Sequence, residues 1–215
     1  QSTTNVWSEM ISNQELLENQ YDVVAGRWPE NYDEVVMVVT KDNEISDYEL
    51  YSLGIRDVSE MQEMMRAALK GETKTYDDLL SLTYKVIPSS DFYEYDDSEK
   101  CYVDKSDDAD YLKDKIKNGL DIKVVGIVRP NEDATVHSIT TTIGYTHALV
   151  EKLMDLSRDS EVGKAQLDDP DKNVFTGYEF GADLNEEAQK EAEQQAQDAM
   201  SEMGIADMTE DQLYE

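Results

Sequence analysis

The pattern of apolar and polar positions predicts an alternation of strands and helices along most of the chain. The first two predicted strands are Tyr21–Ala25 and Glu34–Thr40. The second carries valine on both faces, which is typical of a strand buried at the centre of a sheet. The run from Leu120 to Pro130 repeats this pattern, and proline is expected to end it because it lacks a backbone N–H. Phe92–Tyr95 and Lys100–Val103, which flank a short acidic turn, predict a hairpin.

Helical spacing and capping residues predict helices between these strands. They cover Ser12–Glu18, 46–54, 59–71, 107–119 and a segment that Thr146 is expected to cap. Methionines stand at helical spacing in 59–71; core packing is the favoured interpretation, and a ligand groove is the alternative. A helical turn followed by a strand is predicted before Pro88, and 158–180 is predicted to be mixed, with a turn. This order predicts an α+β fold, a mixed β-sheet with packed helices.

The composition changes once, near residue 181. Residues 1–180 are predicted to form one α+β core domain. Residues 181–215 are rich in Glu, Gln and Ala and are predicted to form a helical extension of the same region. The pattern stops before this extension is complete, so we expect the chain to be a piece of a longer protein.

The charge of the chain excludes some classes of partner. The 49 acidic and 19 basic side chains give a net charge of −30. Phosphate contacts need Lys and Arg, so we expect no nucleic-acid partner, and docking on an anionic lipid surface is disfavoured. No apolar run approaches the ~18 residues that a membrane helix needs, and we expect the membrane anchor to lie outside this piece.

The residue chemistry indicates neither catalysis nor a cofactor. Cys101 is the single cysteine, which precludes an intrachain disulfide. It stands among acidic residues, which raise the pKa of a thiol and make the reactive thiolate scarce. His137 and His147 are not spaced as a zinc motif requires. We therefore expect no enzymatic activity.

A calcium site is a less favoured alternative for one acidic turn. Asp169, Asp171 and Asn173 occupy the first, third and fifth positions of a calcium-binding loop. Val174 and Phe180 stand where such a loop requires glycine and glutamate. A turn with hydrated carboxylates is the favoured interpretation.

Tyrosines in the predicted hairpin form a candidate contact surface. Tyr93, Tyr95 and Tyr102 are its members. Tyrosine tolerates half-exposed positions and is enriched at interfaces, so this surface is a candidate for binding a protein or peptide. Packing between the strands of the hairpin is the favoured interpretation.

The insert between the first two strands predicts a structural corner. Gly26 can adopt a backbone conformation that other residues avoid, and Pro29 fixes φ and withholds an amide. Trp28 can bury a large ring beneath the turn, and Arg27 is expected to pair with a nearby carboxylate. A contact with a partner is the alternative for these four residues.

Several segments in a fixed order resemble one protein family. They are VVAGRWPENYDEVVMVV with EISDYELYSLG, then LDIKVVGIVRPNED, then IGYTHALVEKL with AQLDDPDKNVFTG, and they span most of residues 20–180. Together they resemble the extracytoplasmic, MacB-like periplasmic core domain of MacB/FtsX-type ABC transporter permeases, in the form found in Gram-positive Firmicutes. The resemblance implies a porter-like α/β part between the first two transmembrane helices, on the extracellular side of the cell membrane.

The resemblance also implies how such a domain works. It carries no catalytic residues and no cofactor, since a separate ATPase subunit uses the ATP. The implied partners are that subunit, reached through the membrane part, and a second permease copy or another envelope protein or peptide. The expected function is to couple cytoplasmic ATP hydrolysis to conformational work or to export of a peptide, lipoprotein or toxin. A secreted or surface-anchored, adhesin-like binding module is the alternative.

Overall fold

The computed structural model describes residues 6–45 and 75–183, together with positions 185, 190, 194, 195 and 198. The chain groups into two compact units. Gln1–Phe92 with Ser106–Asp159 form the first unit, and Tyr93–Lys105 with Ser160–Glu215 form the second. The helices predicted at 46–54 and 59–71 lie outside the described residues. The division predicted at residue 181 stays a prediction, because most positions beyond it are not described.

A mixed sheet forms the centre of the first unit. Its strands are β1 (Trp7–Glu9), β2 (Tyr21–Gly26), β3 (Glu34–Val38), β4 (Thr83–Val86), β7 (Leu120–Pro130) and β8 (Ile143–Tyr145). The order is β1-β8-β3-β7-β2, and β4 also pairs with β7. The pairs β1/β8 and β3/β7 are parallel, and the others are antiparallel. The α+β class and the mixed sheet are therefore confirmed.

Helices accompany this sheet in the first unit. They are α1 (Gln14–Gln20), α2 (Tyr76–Leu80), α3 (Ala109–Asn118) and α4 (His147–Asp159), with a short 3₁₀ helix at Ser89–Phe92. No described helix has the length and apolar character needed to span a bilayer.

Two apolar cores lie in the first unit. The larger contains Val35, Met37, Val39, Leu79, Ile122, Val124, Ile127, Ile143 and Leu149. The smaller contains Met10, Leu17, Tyr21, Val36, Val128 and Ile139. Successive side chains of a strand point to opposite faces, and accordingly β3 sends Val35 and Met37 to the larger core and Val36 to the smaller one. The prediction that β3 is a buried central strand is confirmed.

A β-bulge in β7 decides which of its side chains reach each core. Val35 and Val36 are neighbours in β3, yet their partners in β7 are Val124 and Gly126, so one residue of β7 is extra. An extra residue reverses the alternation of the side chains that follow it. Ile127 therefore joins Val124 in the larger core.

The second unit contains a hairpin and a helix. The hairpin strands are β5 (Tyr93–Asp96) and β6 (Cys101–Asp104), and the helix is α5 (Glu161–Asp168). In the turn, Oδ1 of Asp96 accepts hydrogen bonds from the backbone N–H of Ser98 at 2.8 Å and of Glu99 at 3.2 Å. The predicted hairpin is confirmed.

One local prediction was wrong. Helix α4 does begin after Thr146, but the Oγ1 of that residue is buried and makes no hydrogen bond, so it does not cap the helix. The segment predicted to be mixed, 158–180, contains helix α5 followed by a turn, so that prediction is confirmed. Ser160 starts this helix by accepting a hydrogen bond from the N–H of Gly163 at 3.0 Å. The sequence showed no clear helical pattern here, because the helix is short and buries only Val162 among its residues.

Candidate functional site

An apolar groove of about 1020 Å³ runs between β4 and α4 in the first unit. Tyr84 and Val86 of β4 and Ile87 after it form one wall, and Leu149 and Leu153 of α4 form the other. This volume lies just above the range of roughly 300–1,000 Å³ that is usual for small-molecule sites. The groove is therefore large enough for a ligand of lipid size.

Helix α4 presents more apolar surface than the sheet covers. Leu149 is 3% exposed and belongs to the larger core, whereas Met154 lines the groove and is 58% exposed. An apolar stripe on a surface helix normally faces a core, so an exposed methionine beside an open groove marks surface that a ligand could cover. The apolar stripe of α4 can be seen in the sequence, whereas the exposure of Met154 can be seen only in the structure, because it depends on what packs beside the helix.

Aromatic rings line one part of the groove. The rings of Trp7 and Tyr84 meet edge to face, with centroids 5.3 Å apart and an interplanar angle of 82°. The Oη atom of Tyr84 is buried without a hydrogen-bond partner, and burial raises the pKa of this phenol to about 12. The ring is thus neutral at physiological pH and contributes mainly apolar surface.

The charged residues of the groove are cations. Lys85 and Arg158 are among the described lining residues, and none of these residues is Asp or Glu. Each cation pairs with a carboxylate: Nζ of Lys85 lies 2.8 Å from Asp121 Oδ1, and Nη1 of Arg158 lies 2.9 Å from Asp155 Oδ1. Lys85 Nζ also donates to the carbonyl of Gly119 at 3.2 Å, and because successive side chains of β4 alternate, this side chain lies on the face of the sheet opposite to Tyr84 and Val86.

The segment Gly26–Pro29 connects β2 to the loop before β3. Arg27 donates from Nη1 to Oε2 of Glu34 at 2.9 Å and from Nη2 to Oε1, so the predicted pairing with a carboxylate is made. Glu34 also accepts from the backbone N–H of Glu30 at 2.8 Å and of Asn31 at 3.2 Å. Trp28 is partly buried and packs against the smaller core.

The pKa of Glu34 is lowered from 4.5 to about 2, and the hydrogen bond from Arg27 is the largest cause. The backbone N–H groups of Glu30 and Asn31 contribute to this lowering of the pKa, while burial opposes it. The Glu34 side chain is only 10% exposed, and that of Arg27 is 46% exposed. The pair therefore links the loop to the start of β3 through a buried, charged carboxylate.

Glycine at two positions allows β2 and β7 to approach closely at this corner. Gly26 has φ of 70°, and a Cβ there would lie 2.1 Å from the carbonyl oxygen of Val125. A Cβ on Gly126 would lie 2.0 Å from the carbonyl oxygen of Arg27. The backbone N–H of Arg27 donates to Val125 O at 3.0 Å. These contacts give Gly26 and Arg27 structural roles; whether the corner also contacts a partner stays untested.

The predicted tyrosine surface lies in the second unit. Tyr95 and Tyr102 are cross-strand partners, and their ring centroids are 5.3 Å apart. The ring of Tyr93 meets that of Phe175 at 4.7 Å. Tyr95 is 49% exposed and Phe175 is 48% exposed. The rings thus pack on each other and still present apolar surface, and binding of a partner here stays a prediction.

The turn proposed for calcium has other contacts. Oδ1 of Asn173 accepts a hydrogen bond from the N–H of Phe175 at 2.9 Å, and the carbonyl of Asp171 accepts from Phe180 at 2.9 Å. Among the described residues, no group of three or more His, Cys, Asp or Glu side chains is placed to hold a metal ion. Calcium binding by Asp169, Asp171 and Asn173 stays the less favoured alternative for this turn.

The residues weighed for catalysis occupy distinct positions. Burial raises the pKa of Cys101, and the charges of Glu99 and Asp96 raise it further. Nδ1 of His137 is buried without a hydrogen-bond partner, and Nδ1 of His147 lies 2.7 Å from Oε1 of Glu9. A thiol with a raised pKa is a poor nucleophile at neutral pH.

A comparison with protein families, curated proteins and solved structures found no match.

Proposed function

We propose that this chain is the non-catalytic extracellular domain of an FtsX-like ABC transporter permease. In this proposal the domain stands on the outer side of the cell membrane and couples ATP hydrolysis by a separate cytoplasmic subunit to conformational work or export. A second permease copy, or another envelope protein or peptide, is the partner that it contacts. The MacB-like arrangement of the fold is part of the same proposal.

The placement of the resembling segments supports this proposal. Residues 23–39 form most of β2, the corner and β3; residues 120–133 contain β7; and residues 143–153 contain β8 and the first part of α4. In the sheet, β8, β3, β7 and β2 are consecutive neighbours. Segments that are far apart in the sequence therefore build one contiguous sheet, as expected if together they define a domain.

The local geometry suits mechanical transmission. Gly26 and Gly126 allow two strands to meet in close backbone contact, and the charged pair of Arg27 and Glu34 closes the loop between β2 and β3. Preformed, well-packed contacts transmit a displacement with little loss because protein interiors are close-packed. A domain that transmits work needs such a rigid centre and needs no catalytic group.

The complete gene tests the proposal directly. We expect apolar segments of about 20 residues on both sides of this piece and an ATPase gene beside it. A full-length protein without a membrane helix would overturn the proposal.

A measurement on the assembled transporter tests the coupling. A spin label can be placed at Val136, which is 68% exposed, in a protein whose Cys101 has been changed to serine. In a transporter with two permease copies, the distance between the two labels should differ between the ATP-bound and the nucleotide-free states. An unchanged distance distribution, with ATPase activity retained, would count against transmission through this domain.

The exposed aromatic rings of the hairpin favour a second candidate, a surface-anchored binding module. That function predicts a signal peptide, a wall-anchor motif and at most one flanking hydrophobic segment. The variant Tyr93→Ala/Tyr95→Ala should then capture less of its partner from the native cell envelope than the unchanged chain. Equal recovery would remove the hairpin surface as the contact site.

A further inference from the structure

The outer edge of strand β5 carries backbone groups that point away from the hairpin. The backbone N–H of Tyr102 in β6 donates to the carbonyl oxygen of Val174 at 2.8 Å, so this N–H points away from β5. In an antiparallel ladder, two directly opposed residues either exchange both hydrogen bonds or both turn their backbone groups outwards. Tyr95 is the residue opposite Tyr102, and its N–H and C=O therefore point away from β6.

These two backbone groups of Tyr95 are open to an added strand. Within the described part of the chain, no backbone group outside the hairpin makes a hydrogen bond to the N–H or the C=O of Tyr95. The residue is 49% exposed. An edge with unpaired N–H and C=O groups is a template for another extended chain. The outer edge of β5 thus suits recognition by strand addition, in which main-chain hydrogen bonds supply affinity and side chains supply specificity.

The side chains of β5 differ between its two faces. Glu94 and Asp96 lie on one face and Tyr95 lies on the other, because successive side chains of a strand alternate. The Glu94 side chain is 55% exposed, and its Oε2 lies 3.7 Å from Nζ of Lys105. An exposed and long ion pair of this kind contributes little to stability, so Glu94 can accept a second cation at low cost.

Asp96 adds a second negative charge to the same face. The hydrogen bond from the hydroxyl of Ser98 lowers the pKa of this carboxyl, and the backbone N–H groups of Ser98 and Glu99 lower it as well. A carboxyl with a lowered pKa is ionised at neutral pH. One face of β5 is therefore acidic, and the other presents an exposed aromatic ring.

This arrangement selects the sequence of the added strand. Residues opposite Glu94 and Asp96 would point to the acidic face, where lysine or arginine forms a favourable cross-strand pair. The residue opposite Tyr95 would meet the exposed ring, against which a β-branched or aromatic side chain packs well. A second copy of β5 in antiparallel register would place Glu94 opposite Asp96 of that copy, and directly opposed like charges are destabilising. A basic strand therefore fits this edge better than a second copy does.

We propose that the outer edge of β5 binds an extended polypeptide segment in which basic and apolar residues alternate, and that this segment adds an antiparallel strand at Tyr95. The antiparallel direction is chosen because it is slightly more stable per residue than the parallel one. The inference requires neither proposed function as a whole, but it names the chemistry of the protein or peptide partner that both include. Its failure would leave the tests by the complete gene and by the spin labels unaffected.

Peptides with a modified backbone test the strand addition directly. The probe is a short fluorescein-labelled peptide of alternating lysine and valine, titrated with the full 215-residue chain and followed by fluorescence anisotropy. Physiological salt screens the general attraction between a basic peptide and a chain with a net charge of −30. We expect saturable binding. N-methylation of the valines should weaken it at least tenfold, because their N–H groups would donate to Tyr95, whereas N-methylation of the lysines should change it little.

Two further comparisons separate charge and backbone from general attraction. A peptide of the same composition, with its lysines in one block and its valines in another, should bind at least tenfold more weakly than the alternating peptide. Glu94→Lys should also weaken binding at least tenfold. Asp168→Lys is the matched control, because it makes the same change of charge at an exposed residue of the same unit, and its effect should be small.

The role of the Tyr95 backbone is tested by two substitutions at that position. Tyr95→Ala removes the ring and keeps the N–H, whereas Tyr95→Pro removes both. Proline is tolerated at an edge position whose N–H makes no ladder bond, so the hairpin should persist. Binding should be weaker for Tyr95→Pro than for Tyr95→Ala. If Tyr95→Pro does not fold, the N-methylated peptides still decide the question, because they use the unchanged chain.

Several outcomes would overturn the proposal. They are the absence of saturable binding, equal losses on N-methylation of valines and of lysines, equal binding of the alternating and the block peptide, and equal effects of Glu94→Lys and Asp168→Lys. A different occupant would be shown by sedimentation. If the peptide does not bind and the chain forms a dimer that Tyr95→Pro abolishes, a second copy pairs with the edge of β5 instead.

Discussion

The buried carboxylate of Glu34 allows a quantitative test of how the corner is stabilised. The substitution Glu34→Gln keeps the size of the side chain and removes its charge. Arg27 donates to both carboxylate oxygens, and two backbone N–H groups add further hydrogen bonds. The amide of glutamine has one oxygen, and its NH₂ group would face the donors of Arg27. The variant should therefore lose most of the charge-assisted contacts.

The magnitude follows from the pKa of Glu34. Its pKa is about 2 in the folded protein, against an ordinary value of 4.5. A difference of this size corresponds to about 3 kcal/mol of stability at neutral pH. Because the folded pKa is depressed, this contribution is complete above pH 4.5 and is lost as the pH falls towards 2. At pH 3 more than half of it should be gone.

The assay is urea unfolding followed by tryptophan fluorescence at pH 7, 5 and 3. Both tryptophans, Trp7 and Trp28, belong to the first unit, so the signal reports on the unit that contains Glu34. At pH 7 the variant should unfold at a urea concentration lower by about 1–3 M, given a typical slope of 1–3 kcal/mol/M. Glu132→Gln, an exposed substitution in the same unit, serves as the control for loss of one carboxylate.

The difference between Glu34→Gln and the unchanged protein is the decisive quantity. It should be the same at pH 7 and pH 5 and should shrink by more than half at pH 3. A difference that stays constant from pH 7 to pH 3 would refute the reasoning, because it would show that the ionised state of Glu34 does not stabilise the fold. A loss equal to that of Glu132→Gln would refute it as well.

Three further substitutions test the packing of the first unit by thermal unfolding. Gly126→Ala should destabilise it by about 3 kcal/mol or more, since the added Cβ would lie 2.0 Å from the carbonyl oxygen of Arg27. Gly144→Ala should cost less, because its Cβ would meet side chains instead of backbone, Met10 at 2.9 Å and Val36 at 3.1 Å; equal losses would contradict this. Thr146→Val should be neutral or stabilising, because its buried hydroxyl has no partner. A loss of about 1 kcal/mol would show instead that this hydroxyl caps the helix. Trp28→Ala should lower the free energy of unfolding by about 2–3 kcal/mol, which is less than for a fully buried ring, because Trp28 is only partly buried. Unchanged melting together with lost partner binding would show instead that Trp28 is a contact residue.

Local features of the fold could be predicted from the sequence because their causes are local. Valine on both faces of Glu34–Val38 identified a central strand, since only a strand covered on both faces can bury such a run. The backbone freedom of Gly26 predicted its unusual conformation, which the φ of 70° confirms. The turn residues between β5 and β6 predicted the hairpin, because their preference for turns is also a local property.

The partner of Arg27 could not be predicted in this way. The chain offers 49 acidic residues, so a pairing with some carboxylate was expected but its identity was open. Tertiary packing selected Glu34 by bringing the start of β3 against the corner and burying the carboxylate. The low pKa of Glu34 follows from that burial and from its hydrogen-bond donors, which no sequence pattern displays.

By itself, then, the sequence determined the central strands, the hairpin, the acidic charge and the corner, because backbone preference and periodicity act over a few neighbouring residues, whereas the short edge strand β1 was not predicted. Tertiary structure alone decided the bulge that turns Ile127 towards the larger core, and it alone formed the groove. That groove joins Trp7, Tyr84 and Met154, which lie far apart along the chain. Such a surface exists only once strand pairing has fixed the register and α4 has packed on the sheet, since exposure is a property of neighbours in space.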